Sequence, residues 1–151
     1  MFKLYSKGCE YAIRALVYVT GEERDREVRF QAAEICKRAE IPEAYTRKVF
    51  QALVQGGFLE AHRGPGGGYS LTRPSDEITI LDVILAVDGD ETFDQCVMGL
   101  PGCGGDMPCP LHFIWEDAKG RMLSQLRNCN LQEIRETVET RWTPKGRGKS
   151  K

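Results

Sequence analysis

Long hydrophobic runs are missing from this chain. The longest, Ile78 to Val87, is interrupted by Asp82 and is far too short to cross a bilayer. Lys3, Lys7, Glu10 and Arg14 break up the N-terminus, so no secretory signal is visible. The expectation is a cytoplasmic protein with no membrane partner, whose thiols stay reduced. Histidine is scarce, with two in 151 residues. There is no Cys-x-x-Cys knuckle of the kind common in structural zinc sites. The glycine run from Gly64 to Gly68 lacks the Lys-Ser/Thr ending of a phosphate loop. No acid–base pair or Ser-His-Asp set is apparent, and the chain is not expected to be an enzyme. An excess of one charge is also lacking, since the formal net charge is −1.

What is present has the balance of a globular protein, 41% hydrophobic and 28% charged. The length suits one domain, or a small domain plus an oligomerisation element. Charge is unevenly spread. Pro74 to Gln95 carries seven acids and no Lys or Arg. Tyr45 to Arg73 carries Arg47, Lys48, Arg63 and Arg73 against Glu60 alone. Taken alone, such asymmetry is more often a solvated surface than a binding face.

Along the chain, Ser6 caps an expected helix to residue 20, with Tyr11, Ala12, Ala15, Leu16 and Val19 at helical spacing. Residues 21–27 are a charged connection. Arg29 to Ala39 reads as a short second helix with Ala33, Ile35 and Cys36 inward. Pro42 opens a third helix to Gln55, with Val49, Phe50, Leu53 and Val54 as its buried stripe. The exposed side of that helix carries Tyr45, Thr46, Arg47, Lys48 and Gln51, types that suit base edges and phosphates. Phe58 to Arg63 and Tyr69 to Thr72 flank the glycine tip as a β-hairpin. A hairpin after a helix-turn-helix is a wing. Arg63 at its base and Gly66 in its side-chain-poor tip are placed to meet DNA. The fold class is therefore mainly α with a small β-hairpin: a winged helix-turn-helix plus a long C-terminal dimerisation helix. Thr79 to Val87 forms a further helix, with Ile80, Val83, Ile84 and Val87 inward. Pro110 to Arg127 is the longest, with Leu111, Trp115, Ala118, Met122 and Leu126 in a stripe that predicts a homodimer seam, widened by Ile114 and Leu123. Asn130 and Glu133 form a capping-box pattern before a last helix. The division expected is 1–78 for DNA binding, 79–142 for a cysteine loop and dimerisation helices, and 143–151 for a disordered basic tail.

Cys96 to His112 places three of the six cysteines and one histidine within 17 residues. Six residues separate Cys96 from Cys103, five separate Cys103 from Cys109, and two separate Cys109 from His112. Glycines and prolines between them make a loop that can turn soft ligands inward. Thiolates select zinc, copper(I) or iron–sulfur clusters. A structural zinc, a redox disulfide pair and ordinary reduced thiols stay open on these residues alone. Cys36 and Cys129 read as structural.

With Ser6-Lys7-Gly8, Tyr11-Ala12, the Arg63-to-Tyr69 wing, the three loop cysteines and Cys109-Pro110-Leu111-His112 before Trp115, the chain resembles the Rrf family of bacterial winged-helix transcription regulators, in its three-cysteine form. The resemblance implies a homodimer on double-stranded DNA with an imperfectly palindromic operator. It implies an iron–sulfur cluster, [2Fe–2S] rather than [4Fe–4S], that signals iron–sulfur, redox or nitric-oxide status. Cys96, Cys103 and Cys109 would be ligands and His112 the fourth, with Glu10 from a partner subunit as the alternative. The first spacing is one residue longer than the five usual in such members. The competing class is a metal or thiol redox protein that carries a winged helix.

Overall fold

A computed structural model describes residues 4–20 and 28–141. The charged connection at 21–27 and the basic tail lie outside the described residues. Among the described residues, six α-helices and one two-stranded antiparallel hairpin follow in the order α1 (Lys7–Thr20), α2 (Ala32–Arg38), α3 (Glu43–Gln55), β1 (Leu59–His62), β2 (Gly68–Leu71), α4 (Ile80–Asp88), α5 (His112–Asn128) and α6 (Leu131–Arg141). No described helix is long and apolar enough to cross a membrane.

The core is built around α1. Cys9, Ala12, Ala15, Leu16 and Val19 are sealed from water, and Ile35, Val49, Leu53, Phe58, Ile78, Ile84 and Leu131 close over them. Burial together with the nearby Asp88 charge pushes the Cys9 thiol up to about 12, so it is an inert core group. Two reciprocal caps fix the later helices. Thr79 and Asp82 bond to each other's backbone amides at the start of α4, and Asn130 and Glu133 do the same at the start of α6. The Ile80 amide donates to the Cys129 carbonyl and the Leu131 amide to the Ile78 carbonyl, both at 2.9 Å, pinning α6 beside α4.

One helix boundary and two inward assignments differ from expectation. Residues 29–31 are extended, not helical. Phe30 forms a bridge with Tyr69 and exchanges both backbone hydrogen bonds with it at 2.8 Å. Helical spacing cannot register a backbone bridge of this kind. Ala33 is exposed, and Ala32 faces the core instead. Val54 is also exposed, because the stripe of a 3.6-residue helix has turned past the core by its last turn.

The wing glycines have separate reasons. A Cβ on Gly68 would lie 2.5 Å from the Phe30 carbonyl oxygen, and one on Gly67 would strike the His62 and Gly64 carbonyls. Gly66 has positive φ but open space around it. Gly68→Ala must therefore break the Phe30–Tyr69 bridge, whereas Gly66→Ala meets only backbone strain. In urea denaturation we expect Gly68→Ala to cost roughly 2–3 kcal/mol or more and Gly66→Ala about 1 kcal/mol. Equal losses would contradict this packing.

Candidate metal centre and nucleic-acid interface

Cys96 to Leu111 contains no helix or strand. Within it, the Sγ atoms of Cys96, Cys103 and Cys109 all lie within 4.8 Å of one another. Each thiol is half-buried. His112 opens α5, and its Nδ1 stands 3.9 Å from Cys103 Sγ. Gly104 makes room for it, since a Cβ there would lie 2.9 Å from His112 Cε1. The Met98 amide donates to Cys96 Sγ at 3.4 Å, and the Cys109 amide to Cys103 Sγ at 3.5 Å. The amides of Leu100 and Met98 hold the Cys96 thiol below its ordinary pKa. The Cys109 amide pulls Cys103 the same way, but the Cys109 and Cys96 thiols and the loss of water outweigh it, so Cys103 stands above its ordinary value. A soft cation bound by these thiols would draw their protons off.

Three thiols and an imidazole form a soft donor set that fits a thiolate-bound metal centre. Tetrahedral zinc, with bonds near 2.3 Å, would set its sulfurs about 3.8 Å apart. Glu10 is not part of this group within the chain. It pairs with Lys7 at 2.9 Å and Arg14 at 2.8 Å on α1.

Two contacts that sequence reasoning missed frame the loop. The Trp115 indole N–H donates to the Gln95 carbonyl at 3.1 Å, so the first turn of α5 holds the residue before Cys96. At the end of α4, Asp88 accepts the Ser6 amide at 2.7 Å and also the Ser6 hydroxyl. Ser6 Oγ in turn caps α1 by accepting the Cys9 amide at 3.1 Å. The Ser6 cap was legible; a carboxylate 82 residues away was not.

The five exposed positions expected on α3 do not share one face. Thr46, Arg47 and Gln51 line a groove of about 340 Å³ against Ala61 and Tyr69 of the wing. Tyr45 is half-buried, packed edge-on against Tyr11 with centroids 4.8 Å apart. Lys48 faces a crevice shared with Ser6 and Asp88. Arg63 and Gly66 are exposed at the wing.

The expected α5 stripe is divided. No residue of α5 is fully buried. Leu123 and Leu126 pack against the chain's own core, with Met122 half-buried beside them. Leu111 is 44% exposed, Phe113 73% and Ile114 69%, and Ala118 is exposed as well.

Residues 5–137 match the Rrf2 family, described as an iron-dependent transcriptional regulator. The chain belongs to the Rrf2 family. It is 34% identical to the HTH-type transcriptional regulator IscR of Photorhabdus laumondii over 132 residues, covering 87% of this chain and 78% of that protein. It is also 34% identical to the IscR of Yersinia pseudotuberculosis over 156 aligned positions, covering 96% and 93%. Among solved structures, T. potens IscR superposes with a TM-score of 0.71 at 20% identity, covering 96% of this chain and 94% of that one. CymR, the global cysteine regulator of B. subtilis, also gives 0.71, at 19% identity and 91% and 98% coverage. These similarities establish the mainly α, winged-helix fold expected from the sequence. The chain is an IscR-like Rrf2 transcriptional regulator, of a family of regulators and not of enzymes.

Proposed function

We propose that this regulator binds a DNA operator as a homodimer, and that an iron–sulfur cluster on Cys96, Cys103 and Cys109 changes its affinity. The convergence of the three thiols with His112, in an IscR-like winged helix, carries the reading. His112 is the fourth ligand favoured, since it already stands beside Cys103 in the same chain. Glu10 is engaged by two cations, so it would have to leave both to serve a partner subunit. A cluster supplies two states, present or absent and oxidised or reduced, and [2Fe–2S] is the type proposed. The chain's own residues do the rest. Trp115, just beyond the loop, holds Gln95 just before it, and upstream of Gln95 the end of α4 is tied to Ser6 through Asp88. Ser6 heads α1, which packs on α3. A change in loop path therefore has a covalent and hydrogen-bonded route to the DNA-reading helix.

Structural zinc is the second reading. Sulfurs within 4.8 Å of one another are also compatible with it, since those around one tetrahedral zinc stand about 3.8 Å apart. Iron, sulfide and zinc analysis of protein purified without oxygen decides between them.

In the DNA reading, Arg47 and Gln51 meet base edges in the major groove and Arg63 enters the minor groove beside it. A two-fold dimer makes the operator an imperfect palindrome. Phe113 and Ile114, with Leu111 and Ala118, offer the apolar surface for the partner copy.

After anaerobic reconstitution, Cys96→Ala, Cys103→Ala and Cys109→Ala should each lose iron and sulfide while staying folded, and Cys9→Ala, Cys36→Ala and Cys129→Ala should keep them. His112→Ala should shift the visible spectrum and Glu10→Ala should not; the reverse would move the fourth ligand to α1. Phe113→Asp or Ile114→Asp should place an unpaired charge in the seam, costing several kcal/mol, and sedimentation should then show monomer. An unchanged dimer in both would remove α5 from the interface. Arg47→Ala should weaken operator binding by about 1–3 kcal/mol and relax sequence preference. Uniform weakening across sequences would make Arg47 a phosphate contact instead.

A further inference from the structure

The isolated bridge between Phe30 and Tyr69 ties the segment before α2 to the two-stranded wing and brings Arg29 to its tip. Arg29 lies one residue from a backbone fixed by two 2.8 Å hydrogen bonds. Strand alternation sends the Phe30 ring into the core and leaves Arg29 exposed. Next along, the Gln31 side chain donates through Nε2 to the Gly67 carbonyl, which secures the same edge. The Arg29 guanidinium reaches the Gly66 carbonyl through Nη1 at 3.3 Å, a contact that uses one of its five N–H donors. Among the described residues neither Arg29 nor Arg63 is in an ion pair. Glu60 lines the same cleft beside the tip, together with His62 and Ser70, and His62 is engaged with Ser70 Oγ at 2.8 Å.

We infer that Arg29 is a second wing arginine, which grips a DNA phosphate while Arg63 occupies the adjacent groove. A planar guanidinium with spare donors, held next to a fixed backbone bridge beside a tip with no side chain at Gly66, fits a phosphate oxygen pair. Its place one strand away from the tip suits the backbone and not a base edge. Such a contact fixes where the wing sits and carries no sequence information itself. The inference rests on the DNA-binding reading above.

The test uses the full chain and a fluorescein-labelled duplex of 40 base pairs and mixed sequence, with affinity followed against salt. Each phosphate contact contributes about 0.9 to the slope of log affinity against log salt. Arg29→Gln should lower the slope by about 0.9, and Arg29→Lys should keep it. Gln retains an N–H for the Gly66 carbonyl but loses the charge, so a residue that only braces the tip would leave the slope unchanged in this variant. In an Arg63→Ala background, Arg29→Gln should take off a further 0.9 or so. An unchanged slope in Arg29→Gln, or no further fall in the Arg63→Ala background, overturns the assignment while the wild-type slope leaves DNA binding standing. A wild-type protein without salt-dependent binding overturns both.

Discussion

One carboxylate joins the two halves of this regulator. Asp88 ends α4, eight positions before the first loop cysteine, and accepts both the amide and the hydroxyl of Ser6. Ser6 is also the cap of α1, the helix at the centre of the core. The cysteine loop thus starts from a point tied to the element on which α3 packs. Trp115 closes the other side by holding Gln95. Without these two ties, a glycine-rich loop could rearrange around a metal and leave the helices untouched. With them, the loop and α3 share a frame.

The wing is built by a different constraint, the close approach of its two strands and the bridged backbone at Phe30. Gly67 and Gly68 are glycines because neighbouring backbone occupies the space of a Cβ. Gly66 faces outward into open space. A glycine-rich tip therefore serves two purposes at once, internal packing at one end and unobstructed approach at the other. The groove between wing and α3, lined by Thr46, Arg47 and Gln51, is also lined by Tyr69 packed on Phe50, with ring centroids 4.6 Å apart.

Much of this was legible in the sequence because its signals are local. Helical spacing gave α1 and α3, the Asn130–Glu133 pattern gave the start of α6, and the three cysteine spacings gave a loop whose thiols converge. Long-range pairings were not legible. Nothing in Arg29-Phe30-Gln31 announces a strand, because its partner Tyr69 is 39 residues away. Nothing in Asp88 announces Ser6. The α3 face was overcounted for a similar reason. Tyr45 looks exposed on an isolated helix, and only α1 draws it inward; Lys48 is exposed but faces the end of α4. The α5 stripe is apolar throughout, but only its C-terminal half has a core to pack on.

Coupling between the centre and the DNA surface requires that two states differ in affinity for the same duplex. The direct measurement is operator binding by the same preparation before and after the cluster is removed, at fixed salt and without oxygen. A loop tied through Asp88 and Trp115 predicts different affinities or footprints for the two forms, and predicts that Asp88→Asn narrows the difference without abolishing binding. Equal affinity and equal footprints on every operator tried would contradict it and leave the centre with a structural role alone.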